Sequence, residues 1–217
     1  MDDRSWGDAL NETPFKTRAI DINFFNPEDM NLRKWYILGY IIGDGNVHGN
    51  RLSITSSEDD KENLYNIHQY MKLDTDVYGR EGDGKRLYTI SKSCKRWIEN
   101  LELFGVKPNK SFVTEIPTWY IKSKEEAAAI CKGIFDADGS ITIHSKDPIY
   151  PKFSVSGSEK LCDEYAFFLE KYCDIKCNPN KLKSIFALQP AFGRSTFETK
   201  LFLLISFFEH LINIHSM

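Results

Sequence analysis

The sequence predicts an α+β fold of two similar halves, each running helix, strand, strand, helix, strand, strand, helix. Three observations predict it. A short string occurs twice: Ile37-Leu38-Gly39-Tyr40-Ile41-Ile42-Gly43-Asp44-Gly45 and Cys131-Lys132-Gly133-Ile134-Phe135-Asp136-Ala137-Asp138-Gly139, with Asp44 and Asp138 94 positions apart. Each copy is followed by an alternating run, Leu52–Glu58 and Phe153–Glu159, the period of a strand with one face on a core. Each run then opens an amphipathic series, Leu64, Ile67, Tyr70 and Met71 in the first half and Leu161, Tyr165, Phe168 and Leu169 in the second. Such a repeat makes the half, not the chain, the unit of the fold.

Taken in order, residues 1–30 have little periodicity and are broken by Pro14 and Pro27, so they read as an N-terminal extension, either an extended arm or a wrapped segment. The first half spans 31–115, the linker 116–124 with Pro117, and the second half 125–217. In the first repeated helix Gly39 and Gly43 share a face; in the second, Gly133 and Ala137 do. Small residues at this spacing let two helix backbones approach closely. Gly45 and Gly139 are expected to release the chain with positive φ. Ser57 and Ser158 are expected to cap the helices that follow the second strands. Thr75–Arg80, a turn at Glu81-Gly82-Asp83-Gly84, and Lys85–Ser91 form a hairpin signal. A helix from about Cys94 to Phe104 ends at Gly105, with Pro108 soon after. The second half offers weaker strands near 174–188 and 194–200, then an apolar helix at about 200–213.

The bulk numbers bound the function class. At 217 residues, 41% apolar and 27% charged, the chain has the composition of a soluble globule with room for a good core. No stretch approaches 18 uncharged apolar residues, and Met1-Asp2-Asp3-Arg4 lacks a signal-peptide pattern, so the expectation is a cytosolic or nuclear protein without membrane attachment. Five cysteines, at 94, 131, 162, 173 and 177, form no CxxC pair. Cys173 and Cys177 with His210 or His215 are a zinc option; reduced thiols are the reading taken. The net charge of −3 comes from the first 30 residues, which hold 3 basic and 7 acidic side chains, so the repeated body is balanced and has room for a basic face.

The repeated Asp-Gly carries the chemistry. Asp44 and Asp138 end their helices, where each carboxylate meets the negative end of a helix dipole and the repulsion of its twin. A cation offsets that cost, and oxygen-only ligation favours Mg²⁺ or a similar hard ion that keeps water and takes phosphate oxygens. Between Gly84 and Ile98 stand Lys85, Arg86, Lys92, Lys95 and Arg96 with no acid, and aromatic Tyr88 and Trp97 lie among them. Lys146 and Lys152 flank the first strand turn of the second half, and Lys176, Lys181 and Lys183 a later one. Aligned on one face of sheet, such residues meet backbone phosphates while polar neighbours read base edges.

These motifs resemble the two signature helices of the LAGLIDADG homing endonucleases, in the single-chain form with two motifs. Gly133–Gly139 is close to the signature, and Gly39–Gly45 replaces its sixth-position acid with Ile42. Gly105-Val106-Lys107-Pro108-Asn109-Lys110-Ser111 and Phe153–Glu159 look like segments of bacterial and phage members. The resemblance implies two pseudo-symmetric αββαββα halves with saddle-shaped antiparallel sheets, the motif helices at their interface. It also implies sequence-specific, metal-dependent double-strand cleavage at a long asymmetric site of double-stranded DNA. Asp44 and Asp138 would be the catalytic metal ligands, the carbonyls of Gly43 and Ala137 would supplement them, and Mg²⁺ or Mn²⁺ would be the cofactor. Asp136 reads as an interface residue. Arg51, Lys85, Arg86, Lys92, Lys95, Lys110, Lys146, Lys152, Lys181 and Lys183 are the candidate DNA contacts, on a monomer in the cytoplasm of a bacterial or phage-infected cell.

One departure bears on activity. Active members usually place a basic or amide-bearing residue near the start of the helix after the second strand, and here those places are Ser56-Ser57 and Gly157-Ser158. Lys61, Lys110 and Lys160 are the available substitutes. The alternatives carried beside the nuclease are a non-cleaving DNA-binding protein on the same fold and an intron RNA maturase.

Overall fold

The computed structural model describes residues 20–82, 84–107, 115–143, 151–182 and 185–190. The first half runs α1 (Leu32–Asp44), β1 (Gly45–His48), β2 (Arg51–Ser57), α2 (Lys61–Tyr70), β3 (Tyr78–Gly82), β4 (Lys85–Ser93) and α3 (Lys95–Leu103). The second runs α4 (Lys124–Asp138), β5 (Gly139–Ile143), β6 (Pro151–Gly157), α5 (Glu159–Cys173), β7 (Cys177–Leu182) and β8 (Ile185–Pro190). Each half holds an open four-stranded antiparallel sheet, in the order β1-β2-β4-β3 and β5-β6-β8-β7. The same strand order in both follows from the repeat.

The motif helices start on side-chain caps. Asn31 Oδ1 accepts the Lys34 N–H at 3.1 Å, and Ser123 with Glu126 forms a reciprocal capping box on α4. Ser158 caps α5 as expected, its Oγ accepting the Leu161 N–H at 3.1 Å. Ser57 does not cap α2. The helix begins later, at Lys61, and the Ser57 hydroxyl instead donates to Asp60 Oδ2 at 2.9 Å.

The helix exits also differ from expectation. Gly45 has φ −73° and Gly139 φ −82°, both extended, so the chain passes from helix to strand with no left-handed residue. Glycine is needed there for a steric reason. A Cβ on Gly45 would stand 2.5 Å from the Ile41 carbonyl oxygen, and one on Gly139 would overlap that of Phe135. A left-handed glycine does end α3: Gly105 has φ +82°, and the Val106 and Gly105 N–H groups donate to the Leu101 and Glu102 carbonyls at 3.0 Å each. That is the paired Schellman pattern.

The run read as one strand near 174–188 folds back on itself as β7 and β8, with two residues between them, as between β3 and β4. The helix expected at about 200–213 and the strand at 194–200 lie outside the described residues.

The core centres on the motif helices. In α1 every residue from Lys34 to Ile42 is buried, and in α4 Ala127–Cys131, Gly133 and Ile134 are. Full burial of side chains such as Leu38, Ile41 and Ile134 contributes about 1.5–3 kcal/mol each. The described part of the N-terminal segment joins this core. Phe24 and Phe25 are buried against Trp97, with ring centroids 6.1 and 5.6 Å away, and the Trp97 indole N–H donates to the Asp21 carbonyl at 2.8 Å. All five cysteines are reduced, none of them in a disulfide. Burial pushes Cys162 and Cys173 up to about 11 and Cys177 up to about 12, so these are protonated at neutral pH. His210 and His215, the partners in the zinc option, lie outside the described residues. Among the described residues no helix is long and apolar enough to cross a membrane.

Candidate metal centre and nucleic-acid face

The helices α1 and α4 meet backbone to backbone, and the small residues set the contact. A Cβ on Gly39 would overlap the Ile130 carbonyl oxygen, and one on Gly133 would overlap that of Tyr36 and lie 2.7 Å from the Tyr40 nitrogen. At the far end Gly43 packs on Ala137, whose Cβ occupies the space a Gly43 side chain would need. The Asp138 Oδ2 lies 3.0 Å from that same point. The Asp138 carboxylate therefore rests over Gly43, the residue next to Asp44. Both carboxylates end helices at one seam, Asp44 half-buried and Asp138 exposed.

Asp136, six positions into the second motif, is held across the seam. The Tyr36 hydroxyl donates to its Oδ2 at 2.8 Å, and Lys132 Nζ, one turn back, lies 2.6 Å from its Oδ1. Burial, then the charge of Asp136, pushes the Tyr36 phenol far above its ordinary range, so it is a permanent donor here. The first motif has buried Ile42 at this position and needs no such partners. One turn before Asp44, the buried Tyr40 hydroxyl shares a 2.9 Å hydrogen bond with Ser56 Oγ at the end of β2.

The face of the first sheet away from the helices is polar. On β2, Leu52, Ile54 and Ser56 are buried, while Arg51, Ser53, Thr55 and Ser57 alternate with them. Strand register extends this face into rows: His48, Arg51 and Ser93; Asn46, Ser53 and Ser91; Thr55, Thr89 and Tyr78; Ser57, Leu87 and Arg80. Short hydroxyls dominate the centre, with Thr55 and Thr89 Oγ1 atoms 2.8 Å apart and Arg51 donating to Ser91 Oγ at 2.7 Å. In the second sheet Ser140 and Ser154 pair directly, Oγ to Oγ at 2.7 Å.

Of the candidate basic residues, Arg51 and Lys85 belong to this outer face, Lys85 in register with Gly82. Three others do not. Arg86 has the opposite parity, faces Glu81 across the ladder, and sets its guanidinium 5.6 Å from the Tyr88 ring. Lys92 pairs with Leu52 on the helix side and is bound to Asp74 at 2.6 Å. Lys95 is on α3, 3.6 Å from Glu99. A charge count along the chain could not see this, because neighbouring strand residues point to opposite faces. Lys152 and Lys181 lie on β6 and β7, in register with Thr142 and Phe186. Lys110, Lys146 and Lys183 lie outside the described residues. Sequence reading missed Asn46, His48, Tyr78 and Arg80 on this face, and period-two alternation anchored on Leu52 and Ile54 was the available signal. Of the substitute lysines, Lys61 pairs with Glu58 and Lys160 with Glu115, and Lys110 lies outside the described residues.

No family model matches this sequence, and no curated protein matches it. Solved structures do. The N-terminal LAGLIDADG domain of DUF199/WhiA superposes with a TM-score of 0.54 at 12% identity, over 84% of this chain and 86% of that one. The chain has the LAGLIDADG fold. Full-length DUF199/WhiA from Thermatoga maritima gives a TM-score of 0.57 at 12% identity, and 86% of this chain spans 59% of that longer protein. The homing endonuclease I-DmoI, solved in complex with DNA and Mn, gives 0.53 at 14% identity over 81% of this chain and 98% of that one. The LAGLIDADG meganuclease I-AabMI bound to uncleaved DNA gives 0.53 at 14% identity over 83% and 84%. At these identities the likeness fixes the LAGLIDADG fold and its open sheets, and activity must be argued from the site.

Proposed function

We propose that this protein binds double-stranded DNA along the outer faces of its two sheets and cuts both strands, with Asp44 and Asp138 as catalytic metal ligands. The observation that supports this reading is the Gly43–Ala137 contact, with the Asp138 carboxylate over Gly43, the neighbour of Asp44. Without a counter-charge two carboxylates at the negative ends of two helix dipoles repel each other and both dipoles. The donor set suits a hard divalent cation such as Mg²⁺ or Mn²⁺. It is all oxygen, two carboxylates with the carbonyls of Gly43 and Ala137 beside them, which leaves coordination positions for water and phosphate. Bound there, such a cation supplies Lewis-acid polarisation of a phosphoryl oxygen and an acidified water.

The chain's own residues supply the rest. The glycine contacts of the seam hold the carboxylates in fixed relation, and the Tyr36–Asp136–Lys132 clamp keeps the two halves in register. Arg51, Lys85, Arg80 and His48 would position the phosphate backbone, and the serine and threonine rows would meet base edges. The two outer faces differ in sequence, which favours a long asymmetric site. One chain provides both carboxylates, so the reading is of a monomer.

A second reading, DNA binding without cutting, is favoured by one observation: Lys61 and Lys160 are both committed to glutamates. The test is selection of bound duplexes from a random library, followed by incubation with Mg²⁺ or Mn²⁺. Double-strand cutting lost in Asp44→Asn and Asp138→Asn supports the nuclease. Binding with no nick, unchanged in both variants, supports the second reading.

A further inference from the structure

The two halves are not chemically equal around their carboxylates. The motifs align Tyr40 with Ile134, and the ladders Gly45–Ile54 and Gly139–Val155 align Ser56 with Gly157. Tyr40 and Ser56 therefore form a hydrogen bond in the first half that Ile134 and Gly157 cannot form in the second. This bond closes a ring. From Tyr40 the chain runs one helical turn to Asp44, enters β1 at Gly45, crosses the ladder to Ile54 and reaches Ser56, which returns to the Tyr40 hydroxyl. Such closure fixes the tilt of the last turn of α1 against the sheet.

We propose that Tyr40 is a positioning residue for the Asp44 carboxylate, tied to the sheet through Ser56, and that the second half, where Ile134 and Gly157 cannot form this bond, cuts its strand at a different rate. This rests on the nuclease reading above. Three further observations fit. Tyr40 and Asp44 stand four apart on one helix face. Asp44 is half-buried where Asp138 is exposed. The Asp44 charge is among the influences that raise the Tyr40 phenol, after burial, which places the hydroxyl within electrostatic reach of that carboxylate. The phenol makes no contact with DNA in this role, because its ring is fully buried.

The test measures the two strands separately, on a selected duplex labelled on each strand, with Asp44→Asn assigning the strand served by the first half. In Tyr40→Phe and in Ser56→Ala that strand should slow about ten- to a hundredfold, the size of effect expected from a displaced reacting group, with KM unchanged and the other strand unaffected. The double variant should be no slower than either single one. Equal slowing of both strands, or of neither, overturns the proposal. Ser56→Ala removes the same bond without touching the core tyrosine, so a folding defect in Tyr40→Phe does not decide the result. If the wild-type protein cuts neither strand, the nuclease reading fails by itself. Titration with Tb³⁺ then reads the positioning role: a weaker Asp44-dependent site in Tyr40→Phe supports it, and an unchanged one refutes it.

Discussion

The Tyr36 hydroxyl donates a 2.8 Å hydrogen bond to the Asp136 carboxylate across the seam between the two halves, 100 positions away in sequence. With Lys132 Nζ donating to both oxygens of the same carboxylate, this is a charge-assisted set of contacts in a half-buried setting. Tyr36→Phe keeps the ring and removes the donor. It should lower the unfolding free energy by about 1–3 kcal/mol, the range for a lost hydrogen bond to a charged group. Urea unfolding followed by circular dichroism measures this; an unchanged midpoint would show that the bond adds nothing.

Gly133 touches backbone with no room to yield. Gly133→Ala would drive a methyl into the Tyr36 carbonyl oxygen, so the helices must separate along the seam. The loss should exceed the usual 1–3 kcal/mol of overpacking, because the clash is with main chain. Failure to fold, or a drop in Tm beyond about 10 °C, is the expected result. Gly39→Ala should behave alike, and a variant as stable as wild type would contradict the close approach.

Asp44→Asn and Asp138→Asn should each slow double-strand cutting by more than about a hundredfold, the strand served by the altered half being the one left uncut, while DNA affinity stays within a few-fold. Chelation of divalent cations should do the same to the wild-type protein. Relief of charge at a helix C-terminus should also stabilise each variant in metal-free buffer by about 0.3–1 kcal/mol. Gel-shift, nicking and thermal melts on the same preparations separate the three effects.

Outer-face arginines should matter more than arginines and lysines elsewhere. Arg51→Ala and Arg80→Ala should weaken DNA binding and lower the salt dependence by about one unit each in the log–log slope. Arg86→Ala and Lys92→Ala should change that slope little, since Arg86 lies over Tyr88 and Lys92 is paired with Asp74. Fluorescence anisotropy across a salt series checks the contrast, and equal slopes for all four would reject this assignment of the face.

Glu164 gives a pH signature. Its carboxylate accepts the Ile116 N–H at 2.6 Å, joining α5 to the linker, and burial, its largest influence, raises its pKa. A carboxyl raised in the folded state favours the fold most when protonated, and that contribution is lost as pH rises from the ordinary glutamate range through the folded value. Glu164→Gln keeps an acceptor and sheds the charge. It should melt higher than wild type at neutral pH, with the gap closing as the pH falls below the ordinary range. A gap that widens in acid would reverse the sign of the argument.

Much of this was legible in the sequence. The repeat, the small-residue spacing and the alternating strands are local patterns, and each maps to one element by period alone. The helix series Leu161, Tyr165, Phe168 and Leu169 and the end of α3 at Gly105 follow from the same logic. Elements without a strong period were harder: the run through 174–188 holds two paired strands, β7 and β8, with no glycine in the sequence to mark the break between them. Ser57 looked like a cap by composition, but it ends β2 and its hydroxyl goes to Asp60, with α2 starting only at Lys61.

Sequence alone therefore determined the two halves, the glycine faces and the paired Asp44 and Asp138, because these depend on residues close in the chain. Tertiary structure decided what no window of sequence contains. It assigned Arg86 and Lys92 to the helix side and Arg80 and His48 to the open face, since facing depends on the register of strands from different segments. It also joined Tyr36 to Asp136 and Tyr40 to Ser56, bonds between residues whose nearness exists only once the helices and sheet have packed.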